Sequence, residues 1–144
     1  MDHVAIMKKS WGLLPKVITG QKMVESRWSK SRCRPWSEIG SGDTVYFKDS
    51  GEPVCVRAKV AKVLRFSDLN HDKVWEILQR YGREDGLEEE ELSKYFEMFK
   101  DKKYCLLVFL RNPTKISPFR IDKRGFGAMS AWISVGDIEA IRVK

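Results

Sequence analysis

Gly20-Gln21-Lys22-Met23-Val24-Glu25-Ser26-Arg27 decides how this chain is read. Leu14, Val17 and Ile18 form a brief helical stripe ahead of it, and Gly20 takes the positive φ that ends a helix. Beyond Gly20 the chain is extended. With a strand's period of two, Glu25 and Arg27 share one face, while Lys22 stands at the strand mouth, where twist turns it toward them. Three charges at such a junction predict a cleft lined by both signs. The plainer alternative is a surface Glu25–Arg27 ion pair worth about 0–1 kcal/mol, with Lys22 solvated. Spacing alone leaves both open.

Working outward, Ser41-Gly42-Asp43-Thr44-Val45-Tyr46-Phe47 reads as a turn entering a strand. Residues 44–48 and 54–66 form strands joined through Asp49-Ser50-Gly51-Glu52-Pro53, whose composition suits a hairpin loop. Val54, Val56, Ala58 and Val60 alternate with Cys55, Arg57 and Lys59. The phase then slips near Ala61 to Leu64, which predicts a bulge or a barrel corner. Tyr104 through Leu110 is apolar without alternation, the mark of a strand covered on both faces. Residues 132–135 and 138–143 supply the last strand candidates, separated by Gly136-Asp137.

Two helices interrupt these strands. Val74, Ile77, Leu78 and Tyr81 follow helical spacing, with Gly82 placed to close the first; Leu92, Tyr95, Phe96 and Phe99 repeat it. Glu88, Glu89, Glu90 and Glu91 fall near the second helix's first turn, where the macrodipole favours anions. Arg83-Glu84-Asp85-Gly86 is the loop between them. A helical hairpin packed on one side of a small barrel is expected.

Gly-x-Lys-x-x-Glu-x-Arg at 20–27, followed by the 41–47 block, resembles the ASCH domain family, a branch of the PUA-like barrels. The order and distance of the two blocks match that family. Lys123-Arg124-Gly125-Phe126-Gly127-Ala128-Met129-Ser130-Ala131-Trp132-Ile133 resembles a late segment of some longer members. The resemblance implies an α+β, mainly β fold: a PUA-like small β-barrel with a short N-terminal helix and an inserted helical hairpin at about 67–101, in one domain spanning 1–144. It also implies an RNA- or nucleotide-binding module whose charged cleft is built around Lys22, Glu25 and Arg27. Lys22 and Arg27 are then expected on a phosphate or polar base edge. Glu25 orients Arg27 or accepts a hydrogen bond from a base amino group.

Length and charge fit that expectation. At 144 residues the chain is long enough to bury a core without disulfide staples. Its net charge of +7 is unevenly spread: 13 basic residues against 6 acidic in 1–65, 5 against 11 in 66–101, and 9 against 3 in 102–144. A basic body carrying an acidic appendage attracts polyanions, nucleic acid first among them. A generically basic protein, charged for solubility, is the alternative. Cys33, Cys55 and Cys105 are odd in number and widely spaced, so no disulfide framework or CxxC metal site is indicated, and a reducing cytoplasm is expected. With only His3, beside a flexible start, and His71 as nitrogen ligands, no metal site is expected, and no cofactor. No apolar run approaches the roughly 18 residues of a membrane span, nor is there a signal-peptide pattern, so no membrane association is expected.

Arg27, Trp28, Lys30, Arg32, Arg34 and Trp36 interleave cations with indoles, the composition that neutralises phosphates and stacks bases. Each tryptophan is equally readable as a barrel plug with arginines packed over it. Lys123, Arg124 and Phe126 present a similar mixture between glycines, and convergence of Lys22, Glu25, Arg27, Arg124 and Phe126 on one ligand is the sharper hypothesis. A tight turn is the plainer one. The acidic helical hairpin is a candidate protein-contact surface.

Catalysis is the competing class. Some small proteins resembling this fold hydrolyse the acyl amide of a modified cytidine with the motif lysine, a threonine and a later glutamate; some family members act on RNA as nucleases. Here Glu25 stands in the threonine's place, and a carboxylate does not replace an activated hydroxyl. Lys22 and Glu25 are the residues a hydrolase would use.

Overall fold

The computed structural model describes residues 1–127 and 129–144. Ala128, inside the late segment of the family resemblance, lies outside the described residues. The strands are β1 (Asp2–Met7), β2 (Val24–Ser29), β3 (Thr44–Asp49), β4 (Val54–Phe66), β5 (Tyr104–Phe119) and β6 (Trp132–Val135). They form one curled, mainly antiparallel sheet in the order β2-β5-β4-β3-β1-β6. Helix α1 (Leu14–Thr19) precedes β2, while α2 (His71–Tyr81) and α3 (Leu92–Phe99) lie between β4 and β5.

The curl originates in the β4–β5 ladder. Register shifts interrupt it at three places: between Val54 and Val56 and between Arg57 and Lys59 the unmatched residues lie on β5, and between Val60 and Lys62 one lies on β4. Such bulges bend and twist a strand pair. The slip expected near Ala61 is the last of the three. Curling brings the outer strands β2 and β6 toward each other. They do not pair; instead Arg27 Nη1 donates to the Ala131 carbonyl at 3.2 Å across the seam.

β5 is apolar without alternation because both of its faces are covered. Leu106, Val108 and Leu110 enter the barrel core with Val17, Val45, Phe47, Val56 and Val60. Cys105 and Leu107 point the other way, into a core shared with Val74, Leu78 and Tyr95 of the helical hairpin. Asn70 caps α2 by accepting from the Lys73 amide at 2.9 Å. Glu89–Glu91 form a 3₁₀ turn leading into α3.

Two expectations are corrected. The chain start is not flexible: Val4 and Ala5 are fully buried in β1, which pairs parallel to β3 and antiparallel to β6. Residues 138–143 do not form a strand. The Asp137 carboxylate accepts from the Glu139 amide at 2.9 Å and starts a 3₁₀ turn over Ile138–Ala140, leaving an isolated bridge of Arg142 to Ile121. Among the described residues no helix is long and apolar enough to cross a membrane.

Candidate nucleotide-binding cavity

The start of β2 is completed by the loop between α2 and α3. The amides of Met23 and Val24 both donate to the Glu84 carbonyl, at 2.7 and 2.9 Å. Gly86 then turns with φ +83, a left-handed conformation that places Asp85 over the strand mouth. Lys22 is buried beneath it, with 1% of its surface exposed. Its Nζ donates to the Val24 carbonyl at 2.7 Å, to the Asp85 carbonyl at 2.8 Å and to Asp85 Oδ1, and lies 3.5 Å from Glu25 Oε1.

Glu25 joins the second cation. Its Oε2 accepts from Arg27 Nη2 at 3.3 Å, and the Arg27 guanidinium lies 5.1 Å from the Trp132 ring centroid. Ser26 donates to Asp85 Oδ2 at 2.6 Å and accepts from Trp28 Nε1 at 3.1 Å. Two carboxylates thus share two cations in a connected network.

Burial would lower the Lys22 pKa, but the Asp85 and Glu25 charges outweigh it and hold the ammonium above its ordinary value. Burial likewise opposes ionisation of Glu25, and there Lys22 and Arg27 win, keeping its carboxyl below the usual range. At Asp85 burial prevails: with Glu25 nearby it pushes the carboxyl up against the pull of Lys22. The two acids are therefore driven apart, one held as a carboxylate and the other shifted toward its protonated form.

Above this network lies a cavity of about 240 Å³. Glu25, Ser26, Arg27, Trp28 and Asp85 line one part of it; Trp11, Tyr95 and Phe99 line another. Trp28 and Phe99 stack with centroids 4.8 Å apart and planes 4° apart, and Tyr95 continues the stack at 6.2 Å from Phe99. Trp11 meets Tyr95 edge-on at 5.7 Å. Lys8, whose ammonium stands 5.6 Å from the Trp11 centroid, is an exposed cation among the lining residues. A second hollow of about 340 Å³ shares Arg27, Trp28 and Ala131 with the first and adds Cys33, Arg34, Trp36 and Trp132.

The expected site residues are distributed unevenly around this cavity. Glu25, Arg27 and Trp28 line it. Lys22 does not: it sits behind the wall with its donors engaged by protein acceptors, so it neutralises the carboxylates instead of reaching a solute. Lys30, Arg32 and Arg34 are exposed; Arg32 lies over Trp36 and Tyr104, and Arg34 pairs with Glu38 at 3.4 Å. Trp36 packs edge-on against Tyr104 at 5.3 Å and lines the second hollow. Lys123 Nζ donates to the Ser130 carbonyl at 3.2 Å. Arg124 is paired with Asp122, whose carboxyl it lowers to about 2, and Phe126 packs on the core around Val4, Ile6 and Phe119. Neither Arg124 nor Phe126 lines the cavity, so the five-residue convergence is not assembled.

Ser26, Asp85, Lys8, Trp11, Tyr95 and Phe99 were not among the expected site residues. Tyr95 and Phe99 belong to the apolar stripe of α3, which in sequence looks like core alone. Asp85 precedes a glycine and looks like turn chemistry. Among the described residues no cluster of three or more His, Cys, Asp or Glu side chains forms a metal site.

No family model and no curated protein sequence matches this chain. Solved structures do. The ASCH protein from Zymomonas mobilis superposes with a TM-score of 0.67 at 20% identity, covering 96% of this chain and 90% of that one. The fold is that of an ASCH domain. The N-terminal domain of Staphylothermus marinus McrB is also similar, with a TM-score of 0.51 and 11% identity over 83% of this chain and 76% of that one. Within the ASCH fold, which is PUA-like, this chain places its helical hairpin so that α3 supplies two rings of the cavity and the preceding loop supplies one carboxylate.

Proposed function

We propose that this protein binds RNA, or a nucleotide-like piece of it, by seating one base in the cavity between the charged strand mouth and the aromatic wall. The observation that carries this is the meeting of Glu25, Ser26 and Asp85 with Trp11, Trp28, Tyr95 and Phe99 in one concave space. Planar faces hold a base by stacking, and a few convergent polar atoms fix its edge. The volume of about 240 Å³ is below the ~300–1,000 Å³ that houses drug-sized ligands, which suits a single base. Lys8 at the cavity and the exposed cations Lys30, Arg32 and Arg34 then neutralise the phosphates of the strand. Lys22 holds the two acids in place from behind. Titration of tryptophan fluorescence with short single-stranded RNA at two salt concentrations tests this: binding that weakens with salt is expected, and no binding at either concentration refutes it.

One observation favours hydrolysis of an acylated cytidine or similar modified nucleoside as a second function. Ser26 offers the cavity a hydroxyl hydrogen-bonded to Asp85 at 2.6 Å, and Asp85 contacts Lys22. A hydroxyl, a carboxylate with a raised pKa and a lysine are thus in sequence, though the hydroxyl comes from Ser26 instead of position 25. In such a step the Ser26 proton passes to the Asp85 carboxylate as Oγ attacks the acyl carbon. The C–N4 bond then breaks as Asp85 returns the proton to the departing cytidine amine, and water hydrolyses the acyl-serine to release the acid and restore the Ser26 hydroxyl. Deacetylation of N4-acetylcytidine, abolished in Ser26→Ala, separates this activity from binding alone.

A further inference from the structure

We infer that the cavity selects guanine, recognised by the carboxylate of Glu25 with Asp85 beside it; this rests on the binding function proposed above. In the charged cluster most hydrogen-bond donors facing the cavity already have protein acceptors. Trp28 Nε1 gives its proton to Ser26, Ser26 gives its proton to Asp85, and Arg27 gives Nη1 to Ala131 and Nη2 to Glu25. Lys22 is spent on Val24 and Asp85. Arg27 Nε has no acceptor among the described residues, but it is buried and offers no surface to a solute. The other donors belong to Trp11, Tyr95 and Lys8 and to a second N–H on Arg27 Nη1, at the seam with Ala131.

Acceptor capacity, by contrast, is left over. Each Glu25 oxygen has one contact, to Lys22 at 3.5 Å or to Arg27 at 3.3 Å, whereas an ionised carboxylate accepts about four hydrogen bonds. Glu25 is also the acid that stays charged, since Lys22 and Arg27 outweigh its burial. A ligand edge facing this cluster must therefore bring donors. Two cations set against two acids, one of them shifted toward its protonated form, give no net attraction for an ammonium group, which favours a neutral donor edge over a cationic ligand, and the aromatic wall favours a flat one. Among the common bases only guanine carries two adjacent donors, N1–H and the N2 amino group, which match one carboxylate in parallel. Adenine and cytosine set a ring acceptor beside their amino group. Uracil flanks its single N–H with two carbonyls, which would face Glu25 and Asp85 unfavourably.

The test compares guanosine, inosine, adenosine, cytidine and uridine 5′-monophosphates on the wild-type protein by tryptophan fluorescence. Guanosine monophosphate is expected to bind most tightly. Inosine monophosphate, which lacks only the N2 amino group, is expected at least about 10-fold weaker, the loss typical of one hydrogen bond to a charged group. Equal affinity for guanosine and inosine, or a preference for uridine, overturns the inference while leaving base binding intact. Binding of none of the five, together with no RNA binding, removes the functional proposal as well. Glu25→Gln, verified as folded by its thermal transition, is expected to lose the guanosine–inosine difference; retention of that difference also overturns the assignment.

Discussion

Arg27 and Ala131 tie the edge strand β2 to the entrance of the other edge strand, β6, with which it shares no ladder: Nη1 of one donates to the carbonyl of the other at 3.2 Å. The same guanidinium pairs with Glu25 and covers Trp132, so one side chain both ties β2 to the entrance of β6 and separates the two hollows. Arg27→Lys keeps the charge but loses the planar fork that makes these contacts together. A stability loss of about 1–2 kcal/mol is expected in urea denaturation, in line with one or two partly buried charged hydrogen bonds. A midpoint unchanged from wild type would show that the seam holds without Arg27.

Lys22→Met tests the network from beneath. Removing one partner of a buried ion cluster leaves uncompensated charge and costs about 3–5 kcal/mol. With the ammonium gone, the burial that already raises the Asp85 pKa loses its main opposing pull, so its folded pKa lies further above the unfolded one. The variant then gains stability as pH falls through the carboxylate range, because the folded state binds more protons. Chemical denaturation at pH 7 and pH 4.5 checks both statements; a variant less stable at the lower pH contradicts the second.

Gly86→Ala reports on how tightly the loop is held. The added Cβ lies 3.2 Å from Lys22 Cβ and 3.4 Å from both Leu13 Cδ2 and Lys16 Cδ, in a backbone conformation that alanine resists. A loss of about 1–2 kcal/mol is expected, with weaker RNA binding as Asp85 shifts. Wild-type melting and wild-type binding together would show that the loop adapts freely.

His3 makes stability depend on pH near neutrality. It is fully buried, with Nε2 facing Asp43 at 2.9 Å, and Nδ1 accepts from Trp132 Nε1 at 3.2 Å beside Ser134 Oγ at 2.8 Å. Burial lowers its pKa despite Asp43, and an Nδ1 that accepts an indole proton has no proton of its own. The unfolded chain therefore binds more protons between the folded pKa and the unfolded value of about 6.5. This contribution is complete above about 6.5, declines as pH falls through the window and is gone below the folded value. Thermal melts of wild type and His3→Gln across pH 5–8 are expected to converge toward the acid end; parallel curves would remove His3 from the account.

Phe99→Ala removes the ring stacked on Trp28. RNA affinity is expected to fall about 10-fold, within the ~1–3 kcal/mol attributed to one stacked base, with a shift in tryptophan emission. An unaltered affinity would place the bound base elsewhere.

The barrel was readable because burial on one or both faces leaves a periodic trace. Val54 to Val60 alternate over one core, and Tyr104 to Leu110 cannot alternate between two. β1 left no such trace, since Val4 and Ile6 enter one core while Ala5 and Met7 enter another, so its apolar run lacks phase. The site was half legible. Glu25 and Arg27 announce each other at a spacing of two, but Asp85 reaches Lys22 from 63 residues away through a glycine turn whose role only the fold reveals. Lys22 looked available because its partner is distant in sequence, and the rings of α3 looked like core because most of that stripe is core.

The partners in this fold are far apart in the order of synthesis. β1 pairs with β6, and His3 meets Ser134 across 131 residues of chain. Lys22 remains hydrated until the turn at Gly86 has been translated. Truncation ahead of β6 would therefore leave one edge of β1 bare and His3 without Ser134 and Trp132.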